Sequence, residues 1–319
     1  MDREKRIPLL FGGVLVASLF LMVFLVEISQ RHQEKVDAIQ EKEAARAQRI
    51  ACAESGVLFA PVVEGAEHLG EPFASSWKDR PRIGVKVNPQ AVTMPMLREA
   101  SIDSLWLQAV VVGSEIVWRV TWRDSTPDWN VDANRFTDAV AIQFPLTPSA
   151  SFMMGAARQR VQIFHWKALW QKDVDEHFQD VQDLHPNYWT DMYWFASGSH
   201  PYPVPEAFED PRSHAWFAAY AAGNPVADFR RKQPVEELIA EGFGTLTHQP
   251  ECAARARGAW KDGRWAVLFR RPLRTEDPQD YPLDRGWRGK VSLAVWEGSA
   301  GNVGGRKHWS DWLEFEVQQ

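Results

Sequence analysis

The strongest constraint on the fold is a two-residue alternation of apolar and polar side chains that recurs along the chain after Gly56. Ile116–Arg123 shows it most clearly, because every second residue of that segment is large and apolar. Successive side chains of a β-strand point to opposite faces, so this period predicts a strand with one buried face. The same pattern occurs in Arg82–Val87, Leu105–Val111, Ala139–Phe144, Val161–Trp166, Trp265–Arg271, Val291–Trp296 and Leu313–Val317.

Turn-forming residues such as Lys261-Asp262-Gly263 separate these segments. Many strands with few helices predict a mainly β protein, in which residues 56–319 form one antiparallel β-sandwich domain. Between Gln171 and Gly258 the chain is rich in proline and aromatic residues, and Val235–Glu241 is its one helical candidate. We expect this stretch to be a long, partly irregular insertion packed on the sandwich.

An apolar run of about twenty uncharged residues, 7–26, precedes the β-rich part. A helix of that length crosses roughly 30 Å of hydrocarbon, so the run predicts a transmembrane anchor. Arg3, Lys5 and Arg6 precede it, and the positive-inside rule therefore places residues 1–6 in the cytoplasm. A cleaved signal peptide is the alternative, but its apolar region would be shorter and end at a small-residue cleavage site. We expect a single-pass protein of the inner (cytoplasmic) membrane with its globular domain in the periplasm.

Residues 27–55 are rich in Glu, Gln, Lys, Arg and Ala and contain few apolar residues. This composition predicts a polar helical stalk that holds the β domain away from the membrane. A helix that contacts a partner subunit is the alternative. The expected organisation is therefore an N-terminus at 1–6, an anchor at 7–26, a stalk at 27–55 and one domain at 56–319.

Charge and cysteine content argue against several classes of function. The formal net charge of −6, with both signs intermixed, offers no basic surface to nucleic acid. The two cysteines, Cys52 and Cys252, are too few for an iron–sulfur cluster, and the CxxCH motif of covalent haem attachment is absent. The cysteines could form one disulfide in an oxidising compartment. The nine histidines are scattered, and we expect most of the sixteen tryptophans to pack in the core.

The sequence motifs of common enzymes are missing. Gly242-Phe243-Gly244 lacks the third glycine of a dinucleotide-binding fingerprint, and the chain has no GxxxxGK[ST], GxSxG or HExxH sequence. Two other stretches are candidates for a site: Met153-Met154-Gly155, between two predicted strands, and the glycine-rich turn Gly304-Gly305-Arg306-Lys307. Each is also compatible with an ordinary structural role, because methionines fill gaps in cores and lysines are common in loops.

The two candidate stretches belong to a set of six ordered segments. The segments are WRVTWRDSTPDW at Trp118–Trp129, RFTDAVAIQFP at Arg135–Pro145, MMG and VQIFHWKALWQ within Met153–Gln171, PVEELIAEGFGTLT at Pro234–Thr247, DGRWAVLFRRPL at Asp262–Leu273, and AVWEGSAGNVGGRKHWSDW at Ala294–Trp312. Together they resemble the haem b-binding gamma subunits of the type II dimethyl sulfoxide reductase family, the group with ethylbenzene dehydrogenase and dimethyl sulfide dehydrogenase. The resemblance covers most of the predicted globular domain.

The resemblance implies a β-sandwich that holds one non-covalent b-type haem between a methionine and a lysine, the two axial ligands of the iron. On this chain the methionine that precedes the glycine is Met154, and the lysine of the GGRK turn is Lys307. Met153 is an alternative to Met154. Lys167 and Lys290 are alternatives to Lys307, because they lie in or near the matching segments.

The resemblance also implies a non-catalytic electron-transfer subunit. Its haem would relay electrons between the iron–sulfur (beta) subunit attached to a molybdenum catalytic (alpha) subunit and a periplasmic c-type cytochrome. The clusters and the molybdenum would belong to the partners, because this chain lacks the cysteines that clusters require. Two other interpretations stay open: a carbohydrate-binding β-sandwich module that stacks sugars on tryptophans, and an anchoring or assembly subunit without haem.

Overall fold

The computed structural model describes residues 7–64, 69–188 and 210–319, and the chain divides into two compact units, residues 1–49 and 50–319. Short 3₁₀ turns cover Ser75–Trp77, Pro211–Trp216 and Pro225–Ala227. The helices are α1 (Ile7–Ser55), α2 (Ala168–Asp175), α3 (Val181–Leu184) and α4 (Ala218–Ala221). The strands are β1 (Val57–Ala60), β2 (Val62–Val63), β3 (Ile83–Lys86), β4 (Asn88–Pro89), β5 (Ser104–Val112), β6 (Glu115–Arg123), β7 (Ala139–Pro145), β8 (Val161–Lys167), β9 (Val235–Ala240), β10 (Thr247–His248), β11 (Arg255–Trp260), β12 (Arg264–Pro272), β13 (Arg288–Trp296), β14 (His308–Trp309) and β15 (Leu313–Val317).

Helix α1 is continuous over 49 residues and covers both the predicted anchor, residues 7–26, and the predicted stalk, residues 27–55. Within the described part of the chain, no helix combines the length and the apolar composition that a membrane crossing requires. The side chains of residues 7–21 lie outside that described part. The roles of residues 7–26 as an anchor and of residues 27–55 as a stalk therefore stay predictions.

The second unit is mainly β, as predicted, and its described strands form two sheets. The larger has nine described strands in the order β1-β15-β13-β7-β8-β9-β10, with β14 paired to β13 and β4 paired to β14. The smaller has six described strands in the order β11-β12-β6-β5-β2, with β3 also paired to β5. Two pairs, β1 with β15 and β2 with β5, are parallel. The prediction of an antiparallel sandwich is thus confirmed in part, because the sheets are mixed and their other described pairs are antiparallel.

Both parallel pairs come from one short segment, Val57–Val63, which supplies a strand to each sheet. Only Pro61 separates β1 from β2. Proline has no N–H and a fixed φ, so regular strand pairing stops at this residue. The carbonyl oxygen of Ala60 accepts a hydrogen bond from Gln318 N at 3.1 Å, and that of Pro61 accepts one from Val111 N at 2.8 Å. Consecutive carbonyl groups of the segment therefore bond toward different sheets.

The core lies between the two sheets and is dominated by aromatic side chains. Trp118 of β6 contacts Phe144 of β7 and Phe315 of β15, with ring centroids 5.6 and 4.8 Å apart. Trp265 of β12 lies 5.1 Å from Trp166 of β8 by the same measure. All five side chains are buried, and their tilted and edge-to-face arrangements are the ones that aromatic pairs prefer. These contacts join the smaller sheet to the larger, so the two sheets pack face to face.

The eight segments with a two-residue period are all strands, and their ends agree with the prediction to within three residues. The predicted helix at Val235–Glu241 is wrong, because Val235–Ala240 is strand β9, which pairs with β8 on one side and β10 on the other. Burial between two neighbouring strands overrides the helix propensity of Glu236-Glu237-Leu238. The irregular insertion predicted at Gln171–Gly258 is correspondingly smaller, although residues 189–209 lie outside the described part.

Gly258 of β11 provides a test of the packing between the sheets. A Cβ atom at this position would overlap the indole of Trp166, whereas a Cβ at Gly84 of β3 would have its nearest neighbour, Trp106 Cζ3, at 3.4 Å. We expect Gly258→Ala to destabilise the domain by about 1–3 kcal/mol, the usual cost of overpacking a core, and Gly84→Ala to have a much smaller effect. Thermal unfolding of both variants measures this. Equal melting temperatures for the two variants would contradict the inter-sheet contact.

Candidate functional site

The candidate site is a cavity of about 440 Å³ on the outer face of the larger sheet, opposite the inter-sheet core. Strand alternation creates this face. In β7, Val140, Ile142 and Phe144 belong to the core, whereas Ala139 and Ala141 line the cavity. The small alanine side chains leave open space above the sheet, and a volume of this size is typical of small-molecule sites. The neighbouring strands β8 and β13 contribute Ile163, Ser292 and Ala294 to the same floor.

Loops form the walls and the mouth of the cavity. The residues that line it from these loops lie within 90–95, 131–137, 152–154, 243–246 and 302–307. Three tight turns, each closed by a single β-bridge, brace the loops. The bridged pairs are Asp132 with Arg135, Ala156 with Gln159, and Val303 with Arg306. The positions of the walls are therefore set by backbone hydrogen bonds as well as by side-chain packing.

Met154 is presented by a turn in the left-handed backbone region. The φ angles are 65° at Met154 and 75° at Gly155. Gly155 N donates a hydrogen bond to Ser151 O at 2.9 Å, and Gly242 N donates one to Met154 O at 2.7 Å. A Cβ atom at Gly155 would overlap the carbonyl oxygen of Gln159. The glycine that follows the methionine in the sequence motif is thus required by the turn.

Lys307 is positioned by hydrogen bonds from Gln90, a residue that sequence reasoning did not find. Gln90 N donates to Lys307 O at 2.8 Å, and Gln90 Nε2 donates to Gly305 O at 2.9 Å and to Thr93 O at 2.8 Å. A Cβ at Gly305 would lie 2.9 Å from Pro95 O, so a glycine permits the close approach of the two loops. Gln90 and Gly305 are 215 residues apart in sequence, and no local pattern connects them.

The structure brings Met154 and Lys307 together inside the cavity. Lys307 Nζ lies 3.3 Å from Met154 Sδ and 5.2 Å from the ring centroid of Trp296. Among the described residues, no carboxylate pairs with the Lys307 amine, and burial lowers its pKa to about 8. A thioether and an amine with a lowered pKa are two donors that a transition metal can use, provided that the amine has lost its proton.

The alternative ligand residues occupy different environments. Met153 lines the same cavity as Met154. Lys167 lines it as well, but its Nζ lies 2.6 Å from Glu236 Oε1 and 3.6 Å from the ring centroid of Trp170. Lys290 is exposed and borders a separate groove. Of the three lysines, Lys307 is therefore the one whose amine lies in the cavity without a described carboxylate partner.

A histidine that sequence reasoning did not single out as a site residue also lines the cavity. The ring of His165 packs on Trp296, with centroids 4.7 Å apart, and its Nδ1 lies 3.4 Å from Glu236 Oε1. Its Nε2 is buried and has no hydrogen-bond partner among the described residues. Burial and the positive charge of Lys167 lower the pKa of His165 to about 4. The alternation of β8 places His165 on the face of Ile163 and Lys167, a pattern visible in the sequence.

The carboxyl group behind this histidine is ionised at neutral pH. Burial alone would raise the pKa of Glu236, but the hydrogen bond with His165 and the charge of Lys167 outweigh it and lower the pKa to about 2.

No group of three or more His, Cys, Asp or Glu in the described residues is arranged to hold a metal ion. Cys252 has no disulfide partner among the described side chains, and burial raises its pKa to about 12. The side chain of Cys52 lies outside the described part.

Similarity to solved structures is low. Two structures of a family 9 carbohydrate binding module from Caldicellulosiruptor kristjanssonii, in complex with glucose and with cellotriose, have TM-scores of 0.33 and 0.32 and are 7% identical to this chain. Each alignment covers 82% of this chain, and 95% and 93% of the respective modules. Scores this low say nothing about what the chain binds.

Sequence comparisons are more informative. A protein of Haloferax mediterranei named "Putative respiratory nitrate reductase heme subunit ORF7" is 24% identical over 248 residues, which are 77% of this chain and 67% of the relative. The family model described as "Ethylbenzene dehydrogenase" matches residues 74–308. That match spans well over half of the chain and includes both Met154 and Lys307. The chain therefore belongs to the ethylbenzene dehydrogenase family.

Proposed function

We propose that the chain is a non-catalytic electron-transfer subunit that holds one non-covalent b-type haem in this cavity, with Met154 and Lys307 as axial ligands. The observation that carries the proposal is the 3.3 Å approach of Lys307 Nζ to Met154 Sδ in a mostly apolar cavity. Membership of the family supports it, as does the Haloferax mediterranei relative, whose name describes a heme subunit.

The residues of the cavity fit a haem. The alanine-rich floor suits a flat ring, and the walls are mostly apolar. Met154 Sδ and Lys307 Nζ lie 3.3 Å apart. Both side chains are long and flexible, so both could donate to one iron.

Bound haem would supply one-electron redox chemistry. The tasks of the chain are to bind the ring, exclude water and provide the two donors. Lys307 must lose a proton before its nitrogen can donate a lone pair, and burial without a carboxylate partner favours that loss. The thioether of Met154 is a soft donor, which favours ferrous iron. A haem held by Met154 and Lys307 would carry electrons rather than bind a substrate, so a carrier role is proposed rather than a catalytic one.

The partners proposed for this carrier are the iron–sulfur (beta) subunit and the molybdenum catalytic (alpha) subunit of an oxidoreductase complex, and a periplasmic c-type cytochrome. Family membership supports the complex, and the chain's two cysteines are too few to hold clusters of its own. Co-purification of molybdenum and acid-labile sulfide with the tagged chain from its native host tests the first two partners. Reduction or oxidation of the bound haem by a purified c-type cytochrome tests the third.

The assignment of the ligands predicts a specific change in the visible spectrum. We expect the purified chain to contain about one haem, identified as b-type by its pyridine haemochrome, and to give a native reduced-minus-oxidised spectrum typical of iron with two protein donors. Met154→Ala and Lys307→Ala should each lose haem or convert it to a form with one protein ligand. Lys290→Ala is the matched control, because Lys290 is exposed and outside the cavity, and it should leave the spectrum unchanged.

The same spectra separate the competing functions. A folded wild-type chain without haem would contradict the proposal and would favour a carbohydrate-binding module or a haem-free assembly subunit. A haem spectrum that is unchanged in Lys307→Ala but changes in Lys167→Ala would support haem binding and identify Lys167, instead of Lys307, as the iron ligand.

Haem binding should depend on pH, because a proton competes with iron for the Lys307 amine. The pKa of Lys307 is about 8, so below that pH the apo chain carries the protonated form, which cannot bind iron. The apparent affinity for haem should fall by about tenfold per pH unit below the pKa and level off above it. Titrations of the apo chain with haemin between about pH 6 and pH 9 measure this. Lys307→Ala should lack the dependence, and a parallel slope in that variant would contradict the assignment.

The proposed anchor is tested by cell fractionation. The full chain should stay with the membrane pellet after an alkaline wash, because about twenty apolar residues hold a helix in hydrocarbon. A chain without residues 1–26 should appear in the soluble fraction, and protease added to spheroplasts should digest residues 56–319. A full chain that the alkaline wash releases would be inconsistent with a transmembrane segment.

A further inference from the structure

The described lining of the cavity contains basic groups and no acidic one. Its titratable residues are His165, Lys167 and Lys307. The proposed function uses Lys307 as an iron ligand and gives His165 and Lys167 no role. A mostly apolar cavity with two further basic side chains on one wall is complementary to a ligand that has an apolar body and an anionic group.

The one carboxylate behind this wall is shared among three basic side chains. Glu236 Oε1 lies 2.6 Å from Lys167 Nζ and 3.4 Å from His165 Nδ1, and Glu236 Oε2 lies 3.4 Å from His248 Nδ1. The short contact is with Lys167, while Nε2 of His165 is buried without any described partner. A buried polar atom without a hydrogen bond is destabilising until water or a ligand supplies one.

In the sheet, His165 has a carboxylate on one side and a small side chain on the other. In the sheet, His165 lies between Glu236 of β9 on one side and Ala141 of β7 on the other. Glu236 occupies the Nδ1 side, whereas the methyl group of Ala141 leaves space at the floor of the cavity. His165 and Lys307 both lie against the indole of Trp296, so this space adjoins the proposed iron ligands.

We propose that His165 and Lys167 form a carboxylate-binding subsite at one end of the cavity, and that it receives a propionate of the haem. The proposal rests on the proposed function and goes beyond it by assigning an orientation to the ring. Haem b carries its two propionates on one edge and is apolar elsewhere, which matches a cavity with the polar side chains of His165 and Lys167 on one wall. His165, with a carboxylate on each side, would hold a proton on both nitrogens, and Lys167 would pair with Glu236 and the propionate together.

The test uses metal-free porphyrins, so that iron ligation does not contribute. The full-length apo chain is titrated with protoporphyrin IX and with its dimethyl ester, which lacks the carboxylates, and tryptophan fluorescence quenching reports binding. We expect the wild-type chain to bind the free acid at least about tenfold more tightly than the ester, the gain typical of a charged hydrogen bond. His165→Leu and the charge-neutral pair Lys167→Met with Glu236→Gln should each reduce that ratio toward one.

Two controls keep the test specific. Lys290→Ala removes an exposed lysine outside the cavity and should leave the free-acid to ester ratio unchanged. His177→Leu alters an exposed histidine paired with Asp183 and should also leave it unchanged. The same two probes are compared across all variants, so differences in their solubility cancel.

The outcomes separate this inference from the proposed function. Equal affinity of the wild-type chain for both porphyrins would overturn the subsite, even if a b-type haem spectrum is observed. A preference for the free acid that persists in His165→Leu and in the neutral pair would overturn the assignment to these residues. A wild-type chain that binds neither porphyrin and shows no haem spectrum would overturn both the subsite and the proposed function.

Discussion

The site depends on strands that are covered on both faces. An antiparallel sheet commonly packs one face on a core and leaves the other in water. Here β7, β8 and β13 present large side chains to the aromatic layer between the sheets, and the outer face of β7 and β13 includes the small residues Ala139, Ala141, Ser292 and Ala294. The loops that cover the outer face therefore enclose space instead of filling it. Gln90, the turn at Gly155 and the three β-bridges hold these loops in place, so the cavity does not close by collapse.

Electrostatics give the two lysines of the cavity opposite properties. Both are buried, and burial disfavours the charged form of each. Lys167 has Glu236 at 2.6 Å, and this partner makes a charged amine tolerable. Lys307 has a thioether and an indole instead, neither of which neutralises a cation through an ion pair. A cation in an ion pair stays protonated and a metal donor must not, so the position of the Glu236 carboxylate favours Lys307 over Lys167 as the proposed donor.

Much of the fold was accessible from the sequence, because a two-residue period is a direct consequence of strand geometry. The eight strands with that period are all present, whereas β9 was mistaken for a helix because Glu236-Glu237-Leu238 favours one and its longer partner, β8, is distant in sequence. The proximity of Met154 and Lys307 followed from the family resemblance and not from any spacing. Gln90 and the link between His165 and Glu236 were out of reach, since each depends on contacts between separate segments. The small residues of AVAIQFP at Ala139–Pro145 did carry information, because they mark a face with room for a ligand.

The segment Val57–Val63 has a consequence for how the domain opens. Its two strands pair with β15 in one sheet and β5 in the other, and their carbonyl groups change sheet between Ala60 and Pro61. A fluctuation that peels this segment away would expose backbone on both sheets at once. Local openings that share a covalent segment are not independent, so we expect β1 and β2, at one edge of each sheet, to open together in hydrogen exchange. The two layers are thus coupled at their margins by seven consecutive residues as well as at their centre by aromatic packing.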